Sequence, residues 1–316
     1  MFGKPLWWGA VYLEELLLRT WSLLRERENL TLPDEIDALV QLVYEEQVGV
    51  PKFLEERLEK ALAAKDGPIT PLIAETGGQN AMIVDSSALP EQVVGDLITS
   101  AFLSAGQRCS AARILFVQED VSARILTMLT GAMEVLRVGD PGDIATDIGP
   151  VIDEPALRKL ETHLDAMRAK VIHRLAAPTG GWFLGPAVVR IGDPSELKGE
   201  VFGPILHVVE WQAGSLEGVV RSINDTGFGL TLGVHTRISE TIELVRRHAR
   251  VGNMYVNRSM IGAVVGVQPF GGEGLSGTGP KAGGPNYLKR FATERVVSVN
   301  TASSTGDVAL LSLSEM

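Results

Sequence analysis

Apolar side chains recur at helical spacing through the first part of the chain. Residues 9–28 place Leu13, Leu16, Leu17, Trp21 and Leu24 on one face, the stripe of an amphipathic helix. Pro33 stands at a first helical position, and Ile36, Leu39, Val40 and Val43 follow at the same period, which predicts a second helix. Pro51 opens a third, carrying Leu54, Leu58, Ala61 and Leu62 to about Lys65. Asp66-Gly67-Pro68 ends it, because glycine frees the backbone and proline cannot continue the hydrogen-bond ladder.

Beyond Pro68 the pattern changes to short apolar runs separated by amphipathic stretches. Pro71–Ala74, Ala81–Val84 and Arg113–Gln118 read as buried strands, as do 186–191, 205–210, 231–236 and 254–257. Between them, helices are predicted at Pro90–Ser104, Val121–Leu136, Glu154–Lys170, 215–225 and 239–249. In the first of these Val93, Val94, Leu97, Ile98, Ala101 and Phe102 face inward. Strands and helices of these lengths in alternation predict an α/β fold with a mostly parallel sheet covered on both faces. Residues 262–285 hold too much glycine for either element and read as a long ordered loop. Arg295–Asn300 and Val308–Leu313 alternate weakly, as edge strands do. The chain therefore divides into a helical segment at 1–65, an α/β unit at 66–292 and a tail at 293–316.

Composition narrows the function classes. A net charge of −10 on 316 residues argues against a nucleic-acid partner or an anionic membrane surface. No apolar run approaches the roughly 18 residues that span a bilayer. Near the amino end Glu14 and Glu15 interrupt the apolar stretch and no cleavage site follows, so a cytoplasmic chain is expected. A single cysteine excludes an internal disulfide and a cysteine-cluster zinc site. The five histidines contain no i, i+4 pair, so no metal site is expected.

That one cysteine is the first candidate for chemistry. A lone cysteine is more often a small buried hydrophobe than a nucleophile. Cys109, however, follows Ser104-Ala105-Gly106-Gln107-Arg108, between a predicted helix and a predicted strand. A glycine-containing connection there puts the thiol at the edge of the sheet, where ligands of α/β proteins bind. Glu75 follows the apolar run Pro71–Ala74 and precedes Thr76-Gly77-Gly78, glycines that let backbone come close to a ligand. A nucleophile and a base at two neighbouring strand ends is an arrangement suited to covalent catalysis.

Four motifs then carry a resemblance. Glu75-Thr76-Gly77-Gly78, Gly106-Gln107-Arg108-Cys109, Glu200-Val201-Phe202-Gly203-Pro204, and Pro269-Phe270-Gly271-Gly272 with Ser276-Gly277 occur in the order found in the aldehyde dehydrogenase superfamily, and the likeness covers residues 60–316. More narrowly, Glu75–Ser86, Gly139–Asp153 and Asn257–Gly284 resemble the glutamate-semialdehyde dehydrogenase half of the bacterial bifunctional proline-utilisation proteins. The resemblance implies NAD as cofactor, a small aldehyde as substrate and a homo-oligomer formed through the tail. It implies that Cys109 forms a thioester and that Glu75 activates the water that hydrolyses it. By the same match Glu200 binds the nicotinamide ribose with Phe202 beside the ring. Ser110, Gly262 and Ala263 hold the substrate α-carboxylate, and Phe270 walls the aldehyde tunnel. Backbone amides suit carboxylate capture physically, since no side chain stands in the way. Gly272-Glu273-Gly274-Leu275-Ser276-Gly277 has dinucleotide-fingerprint spacing, but Gly279, Pro280, Gly283, Gly284 and Pro285 stand where its helix would begin, so it reads as loop.

Two departures complete the expectation. The nucleotide-binding half that precedes the first motif in the family has no counterpart here beyond a last helix around Glu59–Asp66. Residues 1–55 instead resemble, through Tyr12, Leu18-Arg19-Thr20, Leu32-Pro33 and Val43-Tyr44, a segment near the carboxyl end of the type I CRISPR-associated helicase–nuclease. Three functions follow as expectations: a dehydrogenase of the glutamate-semialdehyde type, a redox-inactive remnant with thiol esterase activity, or a non-enzymatic oligomerising module.

Overall fold

The computed structural model describes residues 73–264 and 267–300, together with Lys60, Ala63 and Ala64 of a preceding helix. The expected helices of 1–65 other than those three residues, most of Pro71–Ala74, and Val308–Leu313 lie outside the described residues.

The core is a sheet of seven strands: β1 (Ala81–Val84), β2 (Ile114–Gln118), β3 (Val171–Arg174), β4 (Ala187–Arg190), β5 (Ile205–Trp211), β7 (Thr231–His235) and β8 (Asn253–Val256), in the order β3-β4-β5-β2-β1-β7-β8. Every neighbouring pair is parallel except β3 with β4. β1, β2 and β7 are buried along their whole length, as continuous apolar runs in a sheet covered on both faces should be. β3, whose residues alternate between half-buried and exposed, is the antiparallel edge strand that the apolar pattern did not reveal.

Five α-helices connect the strands: α1 (Pro90–Leu97), α2 (Glu119–Met133), α3 (Glu154–Ala166), α4 (Leu216–Asp225) and α5 (Ser239–His248). Their starts obey local chemistry. Pro90 stands in the first turn of α1, Glu119 and Asp120 meet the positive end of α2, and Asp153 caps α3 by accepting from the Ala156 amide at 2.8 Å. From β1 the chain moves one way to β2 and β5, then returns across the sheet to β7 and β8. Right-handed crossovers therefore put α1 and α2 on one face and α4 and α5 on the other. The packing agrees, α1 against α2 and α4 against α5.

Two expected elements end differently. The helix predicted over Pro90–Ser104 is α-helical to Leu97, continues as a π-helical turn over Ile98–Phe102, and finishes in a left-handed turn. The inward spacing of Ile98, Ala101 and Phe102 suits either helix, so apolar period alone does not separate them. Arg295–Asn300 forms no strand. The glycine-rich segment is loop, as expected, with one two-residue strand, β9 (Glu273–Gly274), paired with β6 (Phe228–Gly229).

Candidate active site

Glu75–Asn80 leads into β1, Cys109–Arg113 into β2 and Glu200–Pro204 into β5, and these strands are neighbours in the order β5-β2-β1. The candidate groups therefore collect at the amino ends of three adjacent parallel strands. In open α/β sheets ligands usually sit beyond the carboxyl ends. Cys109 does not follow that rule, because a helix-to-strand connection enters a parallel strand at its amino end. Asn80 ties this corner together. Its Nδ2 donates to the Cys109 carbonyl at 2.6 Å and the Ala111 carbonyl at 2.9 Å, while its Oδ1 accepts from the Thr231 amide at 3.1 Å.

The thiol loop is reached through Ser104, Ala105 and Gly106, with φ of 56°, 53° and 63°. Left-handed conformation costs a non-glycine residue about 1–2 kcal/mol, so this turn persists because its surroundings hold it. At Gly106 a side chain has no room, since a Cβ would lie 2.3 Å from the Gly203 carbonyl oxygen. Cys109 is half-buried, with the Ser110 amide and its own amide close to the sulfur. Burial raises the thiol pKa above its ordinary value and the Glu200 carboxylate adds to the rise, while those amides and Arg113 pull it down.

Glu200 and Phe202 stand beside the thiol. Glu200 is mostly buried, 3.6 Å from Arg113 Nη2 and close to the Gly78 amide. Burial raises its pKa against the opposing pull of Arg113, that amide and Lys159. Gly77 is glycine for this neighbour's sake: a Cβ there would lie 2.0 Å from Glu200 Oε2. Gly77 thus admits the Glu200 carboxylate, whereas a Cβ at Gly78 would meet the Asn80 side chain. The Phe202 ring is 39% exposed, with the Arg113 guanidinium 4.9 Å from its centroid.

Glu75 is held by the glycine-rich loop. Its segment pairs with 275–278, through Thr76 N to the Ser276 carbonyl at 3.0 Å and Thr278 N to the Ala74 carbonyl at 3.0 Å. The Glu75 carboxylate accepts from the Gly272 amide at 2.9 Å. A Cβ at Gly271 would stand 2.7 Å from Glu75 Oε1, and one at Gly277 would stand 2.9 Å from its carboxylate, so both glycines shape its seat. Partial burial raises the Glu75 pKa, opposed by the Gly272 amide and by Lys281. Among the described residues no hydrogen bond or ion pair joins Glu75 to Cys109.

The remaining expected residues are dispersed. Ser110 is buried, and its carbonyl accepts from Thr231 Oγ1 at 3.2 Å. Gly262 has φ of 76° and open space around it. Among the described residues nothing accepts from the amide of Gly262 or of Ala263. Phe270 is half-buried and pairs with Ala282 through both backbone bonds, at 3.0 and 2.8 Å.

The aldehyde dehydrogenase family profile matches residues 55–297. The chain belongs to that family. Among its relatives is the bifunctional protein PutA of Klebsiella aerogenes, 56% identical over 251 residues, covering 75% of this chain and 19% of that protein. A PutA crystal structure superposes with a TM-score of 0.75 at 58% identity, covering 79% of this chain and 26% of the other. A 1-pyrroline-5-carboxylate dehydrogenase from Thermus, solved with bound NAD, superposes at 0.71 with 33% identity, covering 78% and 47%. The chain spans about a fifth of the length of the PutA relatives. Its mostly parallel sheet is that of the aldehyde dehydrogenase fold. The CRISPR-like likeness of residues 1–55 lies outside both the described residues and, save for Glu55, the family match.

Within this aldehyde dehydrogenase chain the four motifs are one physical object. A glycine of the first motif admits the glutamate of the third, a glycine of the second abuts the third, and glycines of the fourth seat the glutamate of the first. Residues outside the motifs also matter, and sequence reasoning passed over them. Arg113 is 1% exposed and bonds the carbonyls of Gly106, Arg108 and Gly203. Its signal was a charge at the mouth of a buried strand. Tyr255, on β8, is buried with its hydroxyl unpartnered among the described residues. His163 and His207 meet at 2.9 Å, a pairing that a separation of 44 positions hid from local spacing.

Proposed function

We propose that this chain is the thiol-bearing part of an NAD-dependent dehydrogenase that oxidises L-glutamate γ-semialdehyde to glutamate, a step of proline catabolism, through a Cys109 thioester. The observation that carries the reading is the seat at the amino ends of β2 and β5, where a half-buried thiol, a buried carboxylate and an exposed aromatic face converge. The relatives named PutA and 1-pyrroline-5-carboxylate dehydrogenase supply the substrate class.

The residues fit the cofactor. Glu200 Oε1 is buried with no hydrogen-bond partner among the described residues, an acceptor suited to a ribose hydroxyl, and Phe202 offers a ring face. When bound, NAD supplies the hydride acceptor. The chain's own residues do the rest. The Cys109 sulfur adds to the aldehyde carbon, forming the C–S bond and holding the acyl group once that carbon is oxidised. Glu75 leaves the Gly272 amide and takes a proton from the water that attacks the acyl carbon. The C–S bond then breaks and the thiol returns. A raised Glu75 pKa suits a group that must accept a proton near neutrality. Ser110 and the unclaimed amides of Gly262 and Ala263 hold the substrate carboxylate, and Phe270 lines its approach. The same reading makes 66–292 the catalytic unit, keeps the chain in the cytoplasm and lets it self-associate through 293–316.

The test is NADH formation by the purified chain with glutamate semialdehyde, beside Cys109→Ala. Cysteine-dependent NADH supports the proposal. Equal rates in the two proteins, or no NADH from the folded chain, would overturn it.

A further inference from the structure

We propose that Arg113 is a positioning residue: its buried guanidinium locks the thiol loop to the Glu200–Phe202 seat and screens the Cys109 sulfur from the Glu200 carboxylate. The inference rests on the reading of Cys109 as nucleophile. Arg113 immediately precedes β2, so its backbone is held by the sheet, and Arg113 N donates to the Asn80 carbonyl at 2.8 Å. Its side chain then reaches two other segments. Nη2 donates to the Arg108 carbonyl at 3.1 Å and Nη1 to the Gly203 carbonyl at 3.2 Å, with the Gly106 carbonyl also on Nη1. Gly106 and Arg108 lie on the approach to Cys109, and Gly203 directly follows the Glu200–Phe202 segment. The planar fork makes the grip possible, since a lysine ammonium cannot reach three divergent carbonyls and face a ring together.

A guanidinium buried this deeply persists only when its charge is answered. Carbonyl oxygens answer part of it and Glu200 the rest, at 3.6 Å. The arrangement matters to the sulfur because catalysis needs a thiolate beside that carboxylate, and two anions withdrawn from water repel. The charged or titratable groups acting on Cys109 are Glu200 and Arg113, with the Tyr255 phenol also within electrostatic reach. Lys159, on α3, acts on Glu200. Arg113 is thus the cation that serves both partners. A merely structural role would staple the loops and leave the ionisation of the sulfur untouched.

The experiment is the pH profile of Cys109 alkylation by iodoacetamide, read on the full chain without aldehyde or NAD. Arg113→Met is expected to move the midpoint up by about one pH unit, slowing alkylation at neutral pH about tenfold. Adding Glu200→Gln to that variant should return at least about half of the shift, and Glu200→Gln alone should lower the midpoint below that of the parent, because the repelling charge is gone. Arg113→Lys, which keeps a charge but loses the fork, should stay closer to the parent than Arg113→Met does. A parent-like midpoint in folded Arg113→Met overturns the inference. If circular dichroism shows that Arg113→Met does not fold, Arg113→Gln, which keeps hydrogen-bond donors but no charge, decides: a raised midpoint supports the inference and a parent-like one overturns it. Absence of NADH formation would sink the dehydrogenase reading without moving this profile, so the two failures are distinguishable.

Discussion

At the scale of single residues the site is built by what is left out. Gly77 and Gly106 both lie against the third motif, yet their neighbours differ in kind. A Cβ at Gly77 meets the end of the Glu200 side chain at 2.0 Å, whereas at Gly106 it meets backbone, the Gly203 carbonyl oxygen at 2.3 Å and the Ala101 oxygen at 2.8 Å. A carboxylate can swing aside and a strand entry cannot. Gly77→Ala is therefore expected to leave the melting temperature nearly unchanged while weakening NAD binding about tenfold or more, read by cofactor titration. Gly106→Ala adds the cost of φ +63° for an alanine and is expected to lower the melting temperature by roughly 5–10 °C in calorimetry. Cys109, Glu75 and Glu200 stood out in the sequence as candidates because motif order names them. Arg113 was not, because its partners come from three separate segments.

At the scale of elements, β5 carries a buried histidine whose chemistry follows from its neighbours. His207 Nδ1 faces the Arg113 carbonyl at 3.0 Å, and a carbonyl only accepts, so Nδ1 carries the proton and Nε2 accepts from His163 on α3. Burial, reinforced by His163, lowers the His207 pKa to about 3. Burial likewise lowers that of His235, on β7, to about 4. Both lie below the ordinary histidine value of 6.5, so between those values the unfolded chain binds protons that the folded chain refuses. The stabilisation is full above about pH 6.5 and is lost as pH falls toward 4. Glu75, Asp96 and Glu200, whose pKa values are raised, act in the opposite sense as they protonate. The melting temperature of His207→Gln should accordingly fall less steeply between pH 6.5 and 4 than that of the parent. Parallel slopes would count against a neutral buried His207. Helix α1 shows the limit of reading elements from apolar period. Its inward residues were visible, but the π-helical and left-handed turns that aim the thiol loop were not, because they depend on the strand entry packed against them.

At the scale of the whole molecule, the order of strands decides which parts open together. β2, β1 and β7 have a hydrogen-bonded neighbour on both sides, while β3 and β8 are edges. Hydrogen exchange followed by mass spectrometry should leave 81–84, 114–118 and 231–235 the most protected, with 171–174 and the 267–285 loop exchanging first. Faster exchange at β1 than at β3 would contradict the topology. The sequence alone determined the alternation of strands and helices, the glycine-rich loop and the candidates for chemistry, because apolar period and motif chemistry are local properties. Tertiary structure decided the rest. It placed the three strand entries side by side at the amino ends of the sheet, set Glu75 against the glycine loop, and seated Arg113 against both the thiol loop and Glu200. Those arrangements depend on contacts between positions far apart in the chain, and spacing along a sequence carries no record of them.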